Sequence, residues 1–269
     1  MEALDFEDKR GEGGYVLYVQ NSSAPLTALL FTLPLFIVYH AGLWWLNTFA
    51  GLKWANAVDI AIANTLGKLG MAGPLLSFIL VIIVFLSMHA MTGRAWHWPP
   101  FYTWLVMVAE SLVMALPVFM LSQFVVKLLD YLPLSAVDGP GGDISWRANL
   151  VLSCGAGVYE EFFFRILVMG ALVLVFGKVL GIRGRWKFIL AAVLQALLFS
   201  ASHHLPGGPE QITSLFQARE ALPVFTFRTV AGIYFACLYI ERGFGIAAGA
   251  HAGYDLMVVV LELLGPVEQ

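Results

Sequence analysis

Charge is what this chain has least of: 12% of its 269 residues are Asp, Glu, Lys or Arg, against 59% hydrophobic ones. With a mean hydropathy of +0.80, that scarcity excludes a soluble domain and makes lipid the solvent for most of the surface. Cysteine is nearly absent too. The two present, Cys154 and Cys237, both fall inside apolar runs, which excludes a disulfide framework and leaves them as small packing residues. The formal net charge is only −3, and no basic stripe follows an aromatic platform, so nucleic acid is excluded as a partner. The chain also lacks internal repeats, low-complexity tracts and a His-Glu-x-x-His zinc helix.

What the chain has instead is long apolar runs. Hydrocarbon offers backbone groups no partners, so such runs must be helices or a closed barrel, and runs without period-2 alternation are helices. The expected fold is an all-α, polytopic transmembrane bundle with spans near 25–47, 73–92, 101–128, 148–177, 187–204, 222–240 and 244–264. Pro117 is expected to kink the third, and the fourth exceeds one bilayer crossing, so it must tilt or protrude. Residues 56–70, with Asp59 and Lys68, read as an interfacial or half-inserted helix; counted as a span, they would make an eighth. Residues 1–24 carry seven of the charges (Glu2 to Glu12) and read as a polar tail without the apolar core of a signal peptide, leaving 25–269 as one domain. Lys178, Arg183, Arg185 and Lys187 form the densest basic cluster, which the positive-inside rule assigns to the cytoplasm of an integral protein of the plasma (inner) membrane.

Against that background a few ionisable groups stand out, because each costs on the order of 2.5–3.5 kcal/mol at mid-membrane and is retained by default for function. They fall into three constellations, each pairing residues at i and i+4 on one helical face. In the first, Glu160-Glu161 with Arg165, Glu161 has the favoured order for an ion pair with Arg165, while Glu160 points about 100° away without a local cation. An apolar setting tunes such a carboxyl group toward work as a general base on water. The second is Phe199-Ser200-Ala201-Ser202-His203, at the end of its span before the breakers Pro206-Gly207-Gly208-Pro209. The third is His251-Ala252-Gly253-Tyr254-Asp255 in the last span, where Gly245, Gly249 and Gly253 form a small-residue ridge on the other side of the helix.

The order E-E-x-x-x-R, F-x-x-x-H, H-x-x-x-N/D on separate spans resembles the CAAX protease and bacteriocin-processing family, over roughly residues 147–260. Glu160, Glu161, Arg165, Phe199, His203, His251 and Asp255 carry the match. The resemblance implies a metal-free intramembrane endopeptidase. In it, Glu160 and His203 activate water, and His251 with Asp255 forms the oxyanion site. Asp255 departs from the asparagine common in the family. The implied partner is a peptide or protein substrate in or at the bilayer, such as a prenylated C-terminus, a bacteriocin leader or a membrane-anchored protein.

Other readings stand beside this one. An intramembrane acidic pair also suits a transporter's cation site, and an inactive relative could serve as a scaffold. The Glu161–Arg165 pair reads as structural. No cofactor is expected, with zinc held by Glu160, His203 and His251 as the second-rank mechanism. Glu110 and Arg228, the remaining ionisable groups at depth, read as a pair. His204 reads as interfacial, and His40 and His89 sit in spans without acidic partners.

Overall fold

The structure is a computed structural model that describes residues 14–49, 51, 55–71, 75–96, 98–131, 146–203 and 221–264. His204, the breakers after it and the charges from Glu2 to Glu12 lie outside the described residues. Among the described residues the fold is all-α, with nine helices and no strand. These are α1 (14–22), α2 (Pro25–Phe49), α3 (Ala57–Lys68), α4 (Leu76–Met91), α5 (Phe101–Tyr131), α6 (Trp146–Val179), α7 (Trp186–Ser202), α8 (Ala221–Arg242) and α9 (Phe244–Leu264).

Five of them, α2, α5, α6, α8 and α9, are long and apolar enough to cross a membrane, and α4 and α7 are shorter apolar helices of 16 and 17 residues. These seven coincide with the seven expected spans. Large apolar side chains such as Trp44, Ile83, Met120 and Leu190 lie exposed on their outer faces, an exterior suited to lipid in a multi-pass membrane protein. At 1.5 Å per residue α3 rises only ~18 Å, well short of a ~30 Å hydrocarbon core, so it is not an eighth span. Its limits are set locally. Asn56 caps its first turn by accepting from Val58 N at 2.9 Å, Asp59 and Lys68 sit at the ends that the helix dipole favours, and the chain leaves it through Leu69.

The most buried span is α9: 56% of its apolar window lies inside the protein, against 22–39% for the other four. It packs on α2, α5, α6 and α8, and two apolar cores meet along it. Phe36, Tyr39, Phe85, Val158 and Phe162 gather around Phe244 and Ala248 on one side, while Met107, Val118 and Phe235 gather around Ile246 and Ala250 on the other. The small-residue ridge faces α5: a Cβ on Gly249 would stand 2.5 Å from Ser111 Oγ, and one on Gly245 would stand 2.9 Å from Met107. Residues 14–22, read from sequence within the tail, form α1, because Tyr18 and Ser22 bury against the bundle beside Arg242.

At Gly157, α6 comes against the backbone of α9. A Cβ there would lie 2.6 Å from Ala252 Cβ and 2.8 Å from Ala252 N, and backbone cannot step aside. Gly157→Ala should therefore destabilise the bundle by about 1–3 kcal/mol. Gly253→Ala, whose nearest neighbour would stand at an ordinary 3.5 Å, should be neutral or gain up to about 1 kcal/mol of helix propensity. Thermal unfolding of the two variants in one detergent checks the contrast.

Candidate active site

The acidic pair stands on an irregular stretch of helix. Residues 156–160 and 162–168 of α6 are π-helical, with Glu161 between them. The wider turn changes which residues share a face, and π-bulges of this kind recur at functional sites. At 34 residues, α6 extends for ~51 Å at α-helical rise, longer than the bilayer core, so it tilts or protrudes as expected.

Glu161 points into the protein and is fully buried with Arg165. Arg165 Nη2 donates to Glu161 Oε1 at 2.9 Å, and Nε lies 2.9 Å from Oε2. Arg165 Nη1 donates to Gln195 Oε1 at 2.6 Å, and Gln195 in turn donates to the carbonyls of Ala192 and Gly232. The expected ion pair is thus formed, and α7 and α8 close over it. Glu161 also reaches across the interface: His251 Nδ1 lies 2.8 Å from its Oε1. An ionised carboxylate can only accept, so Nδ1 carries the proton and Nε2 turns toward Asp255 Oδ2, 3.7 Å away. Phe235 stacks on the His251 ring at 4.8 Å and fixes its plane.

Glu160 takes the other direction. Its side chain and that of His203 remain 13% and 19% exposed, and Oε2 lies 4.0 Å from His203 Nε2. His203 Nδ1 is 2.9 Å from the Phe199 carbonyl. A carbonyl can only accept, so that nitrogen donates and Nε2 is the ring nitrogen that faces Glu160. The Phe199 ring stands between the two histidines, 4.9 Å from His203 and 6.2 Å from His251, with Arg165 against its face. The three motifs therefore converge in space. Glu160 pairs with His203, His251 lies between Glu161 and Asp255, and Phe199 links the two halves.

Several participants were not legible as such. Asn56 donates from Nδ2 to Glu160 Oε1 at 2.8 Å, bringing α3 into the site. His40 Nε2 is bonded to Tyr159 Oη at 2.7 Å, and Tyr159 touches Ser77, whose hydroxyl donates to Asp59. Tyr39 donates to the other oxygen of Asp59 at 2.9 Å. Gln195 shows no signal in the sequence beyond being an amide inside an apolar run. The proposed pairing of Glu110 with Arg228 is not what forms. Glu110 instead accepts from Arg242 at 2.5 and 2.7 Å and from Tyr18 at 2.5 Å. Arg228 lies ~21 Å of helix away from Arg242 along α8, and acts electrostatically on Asp255 and Tyr254.

Among the described residues, no group of three or more His, Cys, Asp or Glu is arranged to hold a metal ion. Residues 144–257 match the model of the family described as type II CAAX prenyl endopeptidase Rce1-like, a stretch that takes in all three motifs. No curated protein and no solved structure matches the chain.

The two neighbouring carboxylates should respond oppositely to removal. Glu161→Ala strands Arg165 as an uncompensated buried charge and should cost about 3–5 kcal/mol. Glu160→Ala removes a partly exposed group and should cost within about 1 kcal/mol. Yields of monodisperse protein and unfolding midpoints in detergent give both values.

Proposed function

Because residues 144–257 belong to the Rce1-like family of CAAX endopeptidases, we propose that this protein hydrolyses a peptide bond of a membrane-associated or lipid-modified protein, with Glu160, His203, His251 and Asp255 as its catalytic residues. The observation that carries this reading is the gap between Glu160 and His203. At 4.0 Å it is too wide for a direct hydrogen bond and suits one water bonded to both.

With His203 neutral and protonated on Nδ1, both facing atoms are acceptors, so such a water donates both its hydrogens to them and turns its lone pairs toward the substrate carbonyl. As the oxygen attacks, Glu160 takes a proton and His203 Nε2 holds the other side of the nucleophile. The carbonyl oxygen gains negative charge. His251, oriented by Glu161 through Nδ1, and Asp255 form the polar surface that receives it, provided Asp255 is protonated or holds a protonated His251 in place. When the C–N bond breaks, the proton held by Glu160 passes to the leaving amine, and the new carboxylic acid gives its remaining proton to that amine, leaving a carboxylate and an ammonium. No metal is assigned a step. The family description favours a C-terminal peptide carrying a prenylated cysteine as the substrate class, beside a bacteriocin leader or a membrane-anchored protein.

Glu160→Ala and His203→Ala should each abolish cleavage of a fluorogenic peptide ending in prenylated Cys-aliphatic-aliphatic-X, while insertion and folding persist. Wild-type activity should survive strong zinc chelators. Loss on chelation with recovery on added zinc would replace this mechanism with a Lewis-acid one. Comparative proteomics of membranes bearing wild type or Glu160→Ala extends the test to unknown substrates, since trimming of the true substrate disappears with the carboxylate.

Asp255 gives a separate test. Asparagine supplies a donor of similar size but no counter-charge, so Asp255→Asn should keep substantial activity and Asp255→Ala should lose most of it. Equal inactivation by both, at matched protein levels, would mean that an ion pair with His251 is obligatory.

A further inference from the structure

We infer that Asn56, at the N-terminus of the short helix α3, is a positioning residue for Glu160: it holds Oε1 and leaves Oε2 as the oxygen that meets water and His203. The inference rests on the reading of Glu160 as the general base. Asn56 lies outside the segment that matches the family and carries no motif, yet its amide is buried, 7% exposed, and donates to Glu160 Oε1 at 2.8 Å. Oε2 is the oxygen that faces His203 Nε2.

The amide is held in one orientation from both ends. Its Oδ1 accepts from Val58 N at 2.9 Å and from Asp59 N at 3.4 Å, two of the otherwise unpaired N–H groups that open α3. Turning the amide over would set NH2 against those N–H groups and an oxygen against a carboxylate, so only one orientation is satisfied. The backbone of Asn56 is pinned as well, since its N–H donates to Tyr39 Oη at 2.9 Å and Tyr39 donates onward to Asp59. Asp59 also accepts from Ser77 on α4, and Ser77 touches Tyr159, the residue before Glu160. Helix α3 is therefore tied to α2, α4 and α6 on the side from which its cap reaches the base.

The charged groups around Glu160 come from every packed element. His203 caps the C-terminal end of α7, His251 and Asp255 lie on α9, and Arg165 on α6 itself. Asp59 on α3 and His40 on α2 are engaged by Tyr39, Ser77 and Tyr159 instead of Glu160. Asn56 is the neutral donor among them, and its N–H group decides which carboxylate oxygen stays free to accept a proton from water.

Asn56→Asp and Asn56→Ser separate this role from simple helix capping, because Asp and Ser cap the first turn of α3 as well as Asn does but cannot donate to Glu160 as its amide does. In detergent, with the prenylated fluorogenic peptide as probe, Asn56→Asp should lower kcat at neutral pH by about tenfold or more at unchanged KM. Its activity should also fail toward acid about one pH unit or more above the wild-type limb, since two facing carboxylates share a proton. Asn56→Ser should lose several-fold in kcat with a smaller displacement. Wild-type kcat and pH profile in both variants would overturn the inference in favour of capping alone. A substrate-free measurement accompanies this: the infrared band of a protonated Glu160 carboxyl, assigned by its loss in Glu160→Gln, should appear at neutral pH in Asn56→Asp and not in wild type. An unchanged band in an active enzyme overturns the inference by itself. A wild type that cleaves nothing while the band still appears overturns the protease reading, and the positioning role with it.

Discussion

Glu161 accepts from Arg165 on its own helix and from His251 on α9, and the placement of the catalytic candidates follows from that double use. A buried carboxylate this far from water needs its lone pairs filled, and filling them here draws α6 and α9 to the distance that Gly157 permits. Arg165, once paired, recruits Gln195, and Gln195 recruits the carbonyls of α7 and α8. The result is one buried polar network spanning three helix interfaces, in which the Glu161 Oε2–Arg165 Nε contact is an ion pair without hydrogen-bond geometry.

The neighbouring carboxylate has the opposite surroundings. Glu160 is partly exposed, with Oε2 4.0 Å from His203 Nε2 and Oε1 held by Asn56. Adjacent positions on one helix thus have different surroundings because the chain points them to different sides, one into a buried network and one toward the partly exposed His203.

Most of the architecture was legible in the sequence because apolar length is a direct physical requirement of the bilayer: the seven apolar helices fall where the runs are. The i, i+4 motifs were legible for a related reason, since charge at depth is costly and its local partner lies one turn away, as Glu161 and Arg165 show. Contacts that depend on how helices meet were not. Glu110 finds Arg242 and Tyr18 instead of Arg228 because the level of one helix end against the middle of another is set by packing, which no spacing along one chain segment reveals. Asn56 and Gln195 were invisible for the same reason: a lone amide acquires meaning only from what it faces. His40 gained a partner, Tyr159, that periodicity could not supply.

The pairing of Glu161 with Arg165 on one helix also bears on biosynthesis. A segment entering the membrane from the translocon does so before the helices after it have been made, and an isolated charge at its centre would resist transfer. Here acid and base lie a single turn apart on α6, so the segment can enter as a neutral pair, without help from α7, α8 or α9. His251 arrives only with the final helix, when it joins a carboxylate already compensated. The cluster of Glu160, Glu161, His203, His251 and Asp255 is consequently completed only when the last helix is in place.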